Sequence, residues 1–133
     1  MTVGVVPTAG GGPALIDQSY ILGLAGGTNR PFQNRLVATA GGTKAAAQQL
    51  AAGVAIFGFA TVATNGDSAL LPKAVAGTVI CVRNAGAATL SLYGSGTDKI
   101  NGVDTATNYD LLTNTSAIFF CALDGAWSAV KTA

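Results

Sequence analysis

The sequence predicts an all-β fold, specifically an antiparallel β-sandwich or barrel-like domain with an extended N-terminal arm. Short runs rich in β-branched and aromatic residues recur at roughly 8- to 12-residue intervals, a spacing typical of such domains. Gly, Asn and Asp separate these runs and predict turns between strands. The composition agrees, because 18 of the 133 residues are Gly. Only 10% of the residues are charged, against about 25% in an average soluble protein, so we expect much of the surface to be covered by other subunits.

Residues 1–34 form the predicted arm. Pro7, the Gly-rich segment 10–13, Gly26 and Pro31 interrupt it too often for a helix or a long strand to continue. Its apolar residues therefore need a surface to lie on, which is either the chain's own domain, a sister subunit or a different protein. The arm residues that we expect to make this contact are Leu15, Ile16, Tyr20, Ile21, Leu22, Leu24 and Phe32.

Residues 35–133 form the predicted β-domain. It opens with a short strand over residues 36–40. Thr43 is then placed to cap a short helix over residues 44–52, which Gly53 would end. Two to three helical turns are marginal without tertiary contacts. An extended strand rich in Ala and Thr therefore remains the alternative for the same residues.

Strand patterns dominate from residue 54 to the end of the domain. Asn65-Gly66 lies between two apolar runs, which is typical of a β-hairpin with a type I′ turn. Asn101-Gly102 and Asp124-Gly125 predict further turns. The predicted strands cover residues 54–64, 69–71, 78–83, 88–93, 109–112, 117–122 and 126–130.

The chain lacks the residues of common catalytic sites. It has no histidine, the commonest general base and metal ligand, which excludes Ser-His and Cys-His nucleophiles. Asp98 and Asp104 are close enough in sequence to form a carboxylate pair or a calcium site. Their spacing matches no calcium-loop motif, and turn formation explains both residues better. We therefore expect no enzyme and no catalytic, cofactor-binding or metal site.

Charge and hydropathy also argue against nucleic-acid and membrane partners. The four Lys and three Arg are scattered along the chain, whereas nucleic-acid binding needs several basic residues together. The longest uncharged apolar stretch, residues 50–63, is shorter than the ~20 residues of a membrane span. We expect no secretory signal and synthesis in a cytoplasm. Cys81 and Cys121 lie in separate predicted strands, and we expect free thiols.

One ordered series of short motifs resembles a known group of proteins. Leu71-Pro72 is followed by Gly77 and a β-branched strand that ends at Val82-Arg83-Asn84. The series continues with the segments LSLY at 90–93, ING at 100–102, SAIFF at 116–120 and GAW at 125–127. This order resembles small phage virion structural proteins of the capsid decoration or cement type, some of which are head-fibre-like. The resemblance covers roughly residues 43 to 130.

The resemblance implies a β-domain that trimerises on the outside of an icosahedral phage head. It would stabilise contacts between major capsid subunits, so its implied partners are the major capsid protein and its own copies. The implied location is the capsid exterior of the virion, after synthesis in the host cytoplasm. The alternative is a head or tail fibre module that binds a host surface glycan or protein. That alternative predicts an exposed aromatic cluster of Tyr93, Tyr109 and Trp127.

Overall fold

A computed structural model describes residues 30–132 of the chain. In this range the protein is all-β, and its helical content is a three-residue 3₁₀ turn at Lys44–Ala46. The predicted all-β class is therefore confirmed. The strands are β1 (Phe32–Val37), β2 (Gln48–Gln49), β3 (Ile56–Thr61), β4 (Asp67–Leu70), β5 (Val79–Asn84), β6 (Leu90–Tyr93), β7 (Lys99–Ile100), β8 (Tyr109–Leu111), β9 (Thr115–Leu123) and β10 (Ala126–Lys131).

The strands form two mixed sheets in a solenoid-like arrangement. The six-stranded sheet has the order β1-β3-β5-β9-β10-β7, and the four-stranded sheet has the order β2-β4-β6-β8. From β1 to β6 consecutive strands alternate between the two sheets. The chain therefore completes one coil each time it has added a strand to both sheets. As a result, β3 lies beside β1, β4 beside β2, β5 beside β3 and β6 beside β4.

This coiling corrects the predicted antiparallel pairing. Of the eight strand pairings among residues 30–132, five are parallel and three are antiparallel. Asn65-Gly66 connects β3 to β4, which lie in different sheets, so the predicted hairpin is wrong. Gly66 has a φ of +97°, but Asn65 is not among the residues with positive φ. A type I′ turn needs positive φ at both positions, whereas this turn makes the corner between two sheets.

The predicted turn at Asp124-Gly125 does form a hairpin. It joins β9 to β10, whose register pairs Leu123 with Ala126 on either side of the turn. Gly125 has a φ of +83°, which the absence of a Cβ permits. The coiled pattern has already ended before this hairpin, because β7 pairs with β10 and β5 pairs with β9.

The segment after β1 takes the extended alternative instead of the predicted helix. Only Lys44–Ala46 is helical, and Thr43 makes no side-chain capping hydrogen bond. The chain then enters β2, whose Gln48 and Gln49 pair with Ala69 and Leu70 of β4. Pairing with β4 satisfies the backbone hydrogen-bonding groups of this segment. An isolated helix of this length would be only marginally stable.

Strand β1 (Phe32–Val37) spans the position after residue 34 at which the sequence predicts the arm to end. The Pro31 carbonyl accepts hydrogen bonds from the backbone N–H groups of Ala55 (2.9 Å) and Ile56 (3.3 Å). Phe32 is the first residue of β1 and pairs with Ile56. Residues 32–34, expected in the arm, are therefore part of the six-stranded sheet.

One apolar core fills the space between the two sheets. Its largest members are Trp127, Phe57, Phe59 and Phe119, each almost completely buried. Phe119 lies at the centre of an edge-to-face series, with ring centroids 5.4 Å from Tyr109 and 6.5 Å from Trp127. Such pairs add to the free energy that burial alone supplies. Both cysteines are free, as expected.

Candidate functional site

The two aspartates considered for a carboxylate pair serve separate structural roles. Asp98 is buried, and its carboxylate accepts hydrogen bonds from the Ala74 backbone N–H (2.7 Å) and from Lys73 Nζ (3.1 Å). Asp104 is exposed and accepts one from the Ala106 N–H (2.9 Å) within its own turn. Across residues 30–132, no group of three or more Asp, Glu, Cys or His side chains is placed to hold a metal ion.

Asp98 is expected to stabilise the folded domain. Asp98→Ala should lower the free energy of unfolding by about 2–3 kcal/mol, because the buried Ala74 N–H loses a charge-assisted partner. Lys73→Met is the matched control and should cost about 1 kcal/mol or less, since the Lys73 side chain is 64% exposed and solvent screens the ion pair. Urea titration followed by circular dichroism measures both. Equal losses in the two variants would contradict this ranking.

The aromatic residues proposed for glycan stacking do not form an exposed platform. Trp127 and Tyr93 are buried, and Tyr109 is half-buried with its ring edge against Phe119. The Trp127 Nε1–H donates to the Pro72 carbonyl (3.3 Å) inside the protein. Burial raises the pKa of both tyrosine hydroxyls, and the Asp110 carboxylate raises that of Tyr93 further. These three residues therefore stabilise the domain.

The chain itself covers the outer face of the four-stranded sheet. Ser68 and Ser91 point away from the core, yet both are buried. The Ser68 hydroxyl donates to the Gly41 carbonyl (2.9 Å), and the Tyr93 hydroxyl donates to the Gly42 carbonyl. The segment between β1 and β2 thus closes this face with hydrogen bonds.

The outer face of the six-stranded sheet is open and apolar. The strand registers align one residue from each of five adjacent strands: Phe32 with Ile56, Ile56 with Cys81, Cys81 with Ile118, and Ile118 with Val130. Directly paired residues point to the same side of a sheet. A row of five apolar or weakly polar side chains therefore crosses the sheet on its outer side.

A second pair extends this row along the strands. Val79 and Phe120 pair with each other two residues away from Cys81 and Ile118, so they share the same side. Phe32, Val79 and Val130 are each about 60% exposed, and Ile118 is 51% exposed. We call the following seven residues the apolar face: Phe32, Ile56, Val79, Cys81, Ile118, Phe120 and Val130.

A charged side chain, Arg83, adjoins the apolar face, because it lies two residues after Cys81 on β5 and points to the same side of the sheet. Arg83, near the end of β5, donates through Nη1 to the Asn114 carbonyl (3.3 Å). Lys99 lies in the edge strand β7, opposite Ala126. Cys81 is near the centre of the face, and partial burial raises the pKa of its thiol. The seven residues of the apolar face carry no ionic group at pH 7, and the charge of Arg83 lies beside them on the same side of the sheet.

Of the site residues predicted from the sequence, only Phe32 falls within the described range, and it belongs to the apolar face. The other six, from Leu15 to Leu24, lie outside residues 30–132. Sequence reasoning missed the remaining face residues, although a signal was present. The apolar runs 79–82 and 117–121 do not alternate with polar residues, which is typical of strands that are apolar on both sides.

The described residues include no helix of the length and hydropathy that a bilayer crossing requires. Comparison with known proteins found no matching family model, no matching curated protein and no matching solved structure.

Proposed function

We propose that this chain is a non-enzymatic virion structural protein, specifically a capsid decoration or cement protein on the outside of a phage head. Its partners would be the major capsid protein and further copies of itself, as a homo-oligomer for which a trimer is expected. In this role the protein binds the outer capsid surface and stabilises contacts between major capsid subunits. The sequence resemblance supplies the phage setting, and the apolar face supplies the physical support.

The apolar face is the observation that carries the proposal. Sheets with one solvated side normally alternate apolar residues inward and polar residues outward. Here the outward positions of β3, β5, β9 and β10 include Ile56, Val79, Ile118 and Val130. Contiguous exposed apolar surface of this kind marks sites of association with other proteins. Each such side chain contributes roughly 1.5–3 kcal/mol when it becomes fully buried.

The core architecture suits a protein that must remain rigid on a particle. Two sheets share one apolar core, and the buried polar groups Asn84 and Asp98 hydrogen-bond to neighbouring backbone. A preformed surface loses little conformational entropy when it binds. Many copies on one shell would add avidity without any new contact in each copy.

We further propose that the arm anchors the protein on the capsid, and deletion of residues 1–29 tests this role. We expect the shortened protein to fold, because Pro31 and Phe32 remain and keep their pairing with β3. Removing residues 1–34, the predicted arm, would instead delete half of β1. We expect the full chain to co-sediment with phage heads that lack it, and the shortened protein to lose that binding. Thermal unfolding of both proteins serves as the folding control.

Two outcomes would count against the proposal at different levels. Undiminished binding by the protein shortened at residue 29 would remove the arm as anchor but leave capsid binding intact. Mass spectrometry of purified particles tests the function itself, because a cement protein should be present in copy numbers comparable to the major shell subunit. Absence from the particles would end the capsid assignment.

A further inference from the structure

We propose that Asn101 is a site of spontaneous deamidation, and that the isoaspartate formed there loosens the edge strand β7 from β10. This modification goes beyond the proposed function and does not depend on it. The support comes from three turns of similar chemistry that the fold places in different environments.

The chain has three places at which Asn or Asp precedes Gly: Asn65-Gly66, Asn101-Gly102 and Asp124-Gly125. Such a pair forms a succinimide when the backbone nitrogen of the Gly attacks the side-chain carbonyl of the preceding residue. Gly favours this attack because it has no side chain to shield its nitrogen. The reaction also requires that nitrogen to be free of a hydrogen-bond acceptor, and the structure separates the three pairs on this requirement.

Two of the three pairs are locked at the reacting nitrogen. The Gly66 N–H donates to the Thr89 carbonyl (3.1 Å), and the Thr89 N–H in turn donates to Asn65 Oδ1 (2.8 Å). The Gly125 N–H donates to the Ala74 carbonyl (3.0 Å). Each of these hydrogen bonds has to open before the nitrogen can attack, which slows the reaction.

The Asn101-Gly102 turn leaves this nitrogen free. Asn101 and Gly102 have φ values of +52° and +75°, and the Val103 N–H donates to the Ile100 carbonyl (3.2 Å), as in a type I′ turn. Within residues 30–132 the Gly102 N–H has no acceptor. Both residues of the pair are exposed, and no atom of the described residues beyond the chain neighbours lies within 4 Å of the position that a Cβ on residue 102 would take. Asn101 is therefore the Asn or Asp most open to this reaction among the three pairs.

The reaction needs water as its only co-reactant. The Gly102 backbone nitrogen gives up its proton to solvent and attacks Cγ of Asn101, so that an N–Cγ bond forms. The Cγ–Nδ2 bond then breaks, and the side-chain nitrogen leaves as ammonia with protons from solvent, which gives a cyclic succinimide. Water opens the ring at one of its two carbonyls. Cleavage of the N–Cγ bond gives aspartate, and cleavage of the original peptide bond gives isoaspartate, whose main chain runs through Cβ and Cγ.

The isoaspartate removes a contact that holds β7 on β10. Strand β7 has two residues and lies at the edge of the six-stranded sheet. Directly after it, the Asn101 N–H donates to the Trp127 carbonyl (2.8 Å), and Asn101 Oδ1 accepts from the Ala129 N–H (2.9 Å). In isoaspartate the former side-chain carbonyl belongs to a main chain that is one carbon longer, so it no longer lies opposite the Ala129 N–H. A short edge strand that loses such a contact opens more often.

Incubation of the full-length protein in neutral and mildly alkaline buffer tests the site. Trypsin digestion of unfolded samples places Asn65 and Asn101 in separate peptides, 45–73 and 100–131, and tandem mass spectrometry follows the loss of each amide. In the folded protein we expect Asn101 to convert at least about tenfold faster than Asn65, the order of effect of one additional hydrogen bond that must open. Both rates should rise with pH, because the nitrogen attacks after losing its proton. In urea, where neither turn is folded, the two rates should become nearly equal.

Trypsin treatment of the folded protein tests the effect on β7. Cleavage after Lys99, within β7, requires the strand to open. We expect aged protein, in which an isoaspartate-specific methyltransferase detects isoaspartate, to be cut there about three- to tenfold faster than fresh protein, the effect of losing one hydrogen bond. Freshly purified Asn101→Asp is the matched control. It carries the charge of the product on an unchanged main chain and keeps an oxygen for the Ala129 N–H, so it should be cut at the wild-type rate.

Each part of the proposal has its own contrary result. Conversion of Asn65 as fast as Asn101 in the folded protein would overturn the choice of site, and so would an Asn101 that reacts in urea alone. Equal cleavage after Lys99 in aged and fresh protein would overturn the loosening of β7. Cleavage of fresh Asn101→Asp as fast as that of aged protein would assign the loosening to charge and overturn the role of the lengthened main chain.

Discussion

Asn84→Ala is expected to lower the free energy of unfolding by about 4 kcal/mol, one of the two largest single effects in the domain. Asn84 is completely buried at the end of β5. Its Nδ2 donates to the carbonyls of Ala88 and Leu111, and its Oδ1 accepts from the Gly86 N–H, all at 2.8 Å. Alanine would leave three backbone groups without partners. Each such group costs about 1–3 kcal/mol when it stays buried.

The expected loss of stability is large because Asn84 connects the two sheets. It joins the end of β5 in the six-stranded sheet to β8 in the four-stranded sheet, and it also holds the turn at Gly86. That turn packs closely, because a Cβ on residue 86 would collide with the backbone nitrogen of Val62. Losing the amide therefore disturbs two sheets and the corner between them.

Chemical denaturation followed by Trp127 fluorescence measures the Asn84→Ala effect, since the chain has one Trp. Asn34→Ala is the matched control, because Asn34 is exposed in β1 and surface substitutions usually stay within about 0.5 kcal/mol. For a domain of this size the expected loss corresponds to a fall in Tm of roughly 15–30 °C. A loss below about 1 kcal/mol for Asn84→Ala would show that water replaces the amide.

Trp127→Ala is expected to cost about 3–5 kcal/mol, the range for removing a fully buried Trp. The Trp127 side chain is 1% exposed and packs edge-to-face on Phe119, with ring planes 87° apart. Truncation would open a cavity in the core between the two sheets and also leave the Pro72 carbonyl without its Nε1–H donor. A total stability of 5–15 kcal/mol is typical of domains, so we expect this variant to lie close to the unfolding threshold.

Trp127→Phe separates the two contributions at this position. Phenylalanine keeps most of the apolar volume but loses the hydrogen bond to Pro72, so we expect a clearly smaller loss than in Trp127→Ala. Urea titration followed by far-ultraviolet circular dichroism compares the two variants, because both lack the fluorescent side chain. An equal loss in both would place the main contribution in the hydrogen bond instead of the packing.

Local patterns predicted the strands of the second half well. The run 78–83 corresponds to β5, the run 117–122 to β9, and 126–130 to β10. Each run is rich in β-branched or aromatic residues, which favour a pleated, buried surface wherever the strand pairs. These strands and the Asp124-Gly125 hairpin could therefore be predicted from neighbouring residues alone.

Polar residues at turns and strand ends proved harder to interpret. Asp98 was expected in a turn and Asn84 at the end of a strand, and both are buried with hydrogen bonds to backbone groups. The only local signal for Asn84 is the glycine two residues later, whose N–H its side chain accepts. The contacts with Leu111 and Ala74 are 27 and 24 residues away along the chain, and no local pattern indicates them.

The sequence by itself determined that this is a β-protein with little charge and no histidine. Only the tertiary structure decided that β3 pairs in parallel with β1 and β5, and that the apolar residues of five strands meet on one open face. The physical reason is that side-chain alternation is a local property of a strand. Strand pairing depends on which distant segments bury each other's apolar sides, and a turn such as Asn65-Gly66 fits a hairpin or a corner equally well.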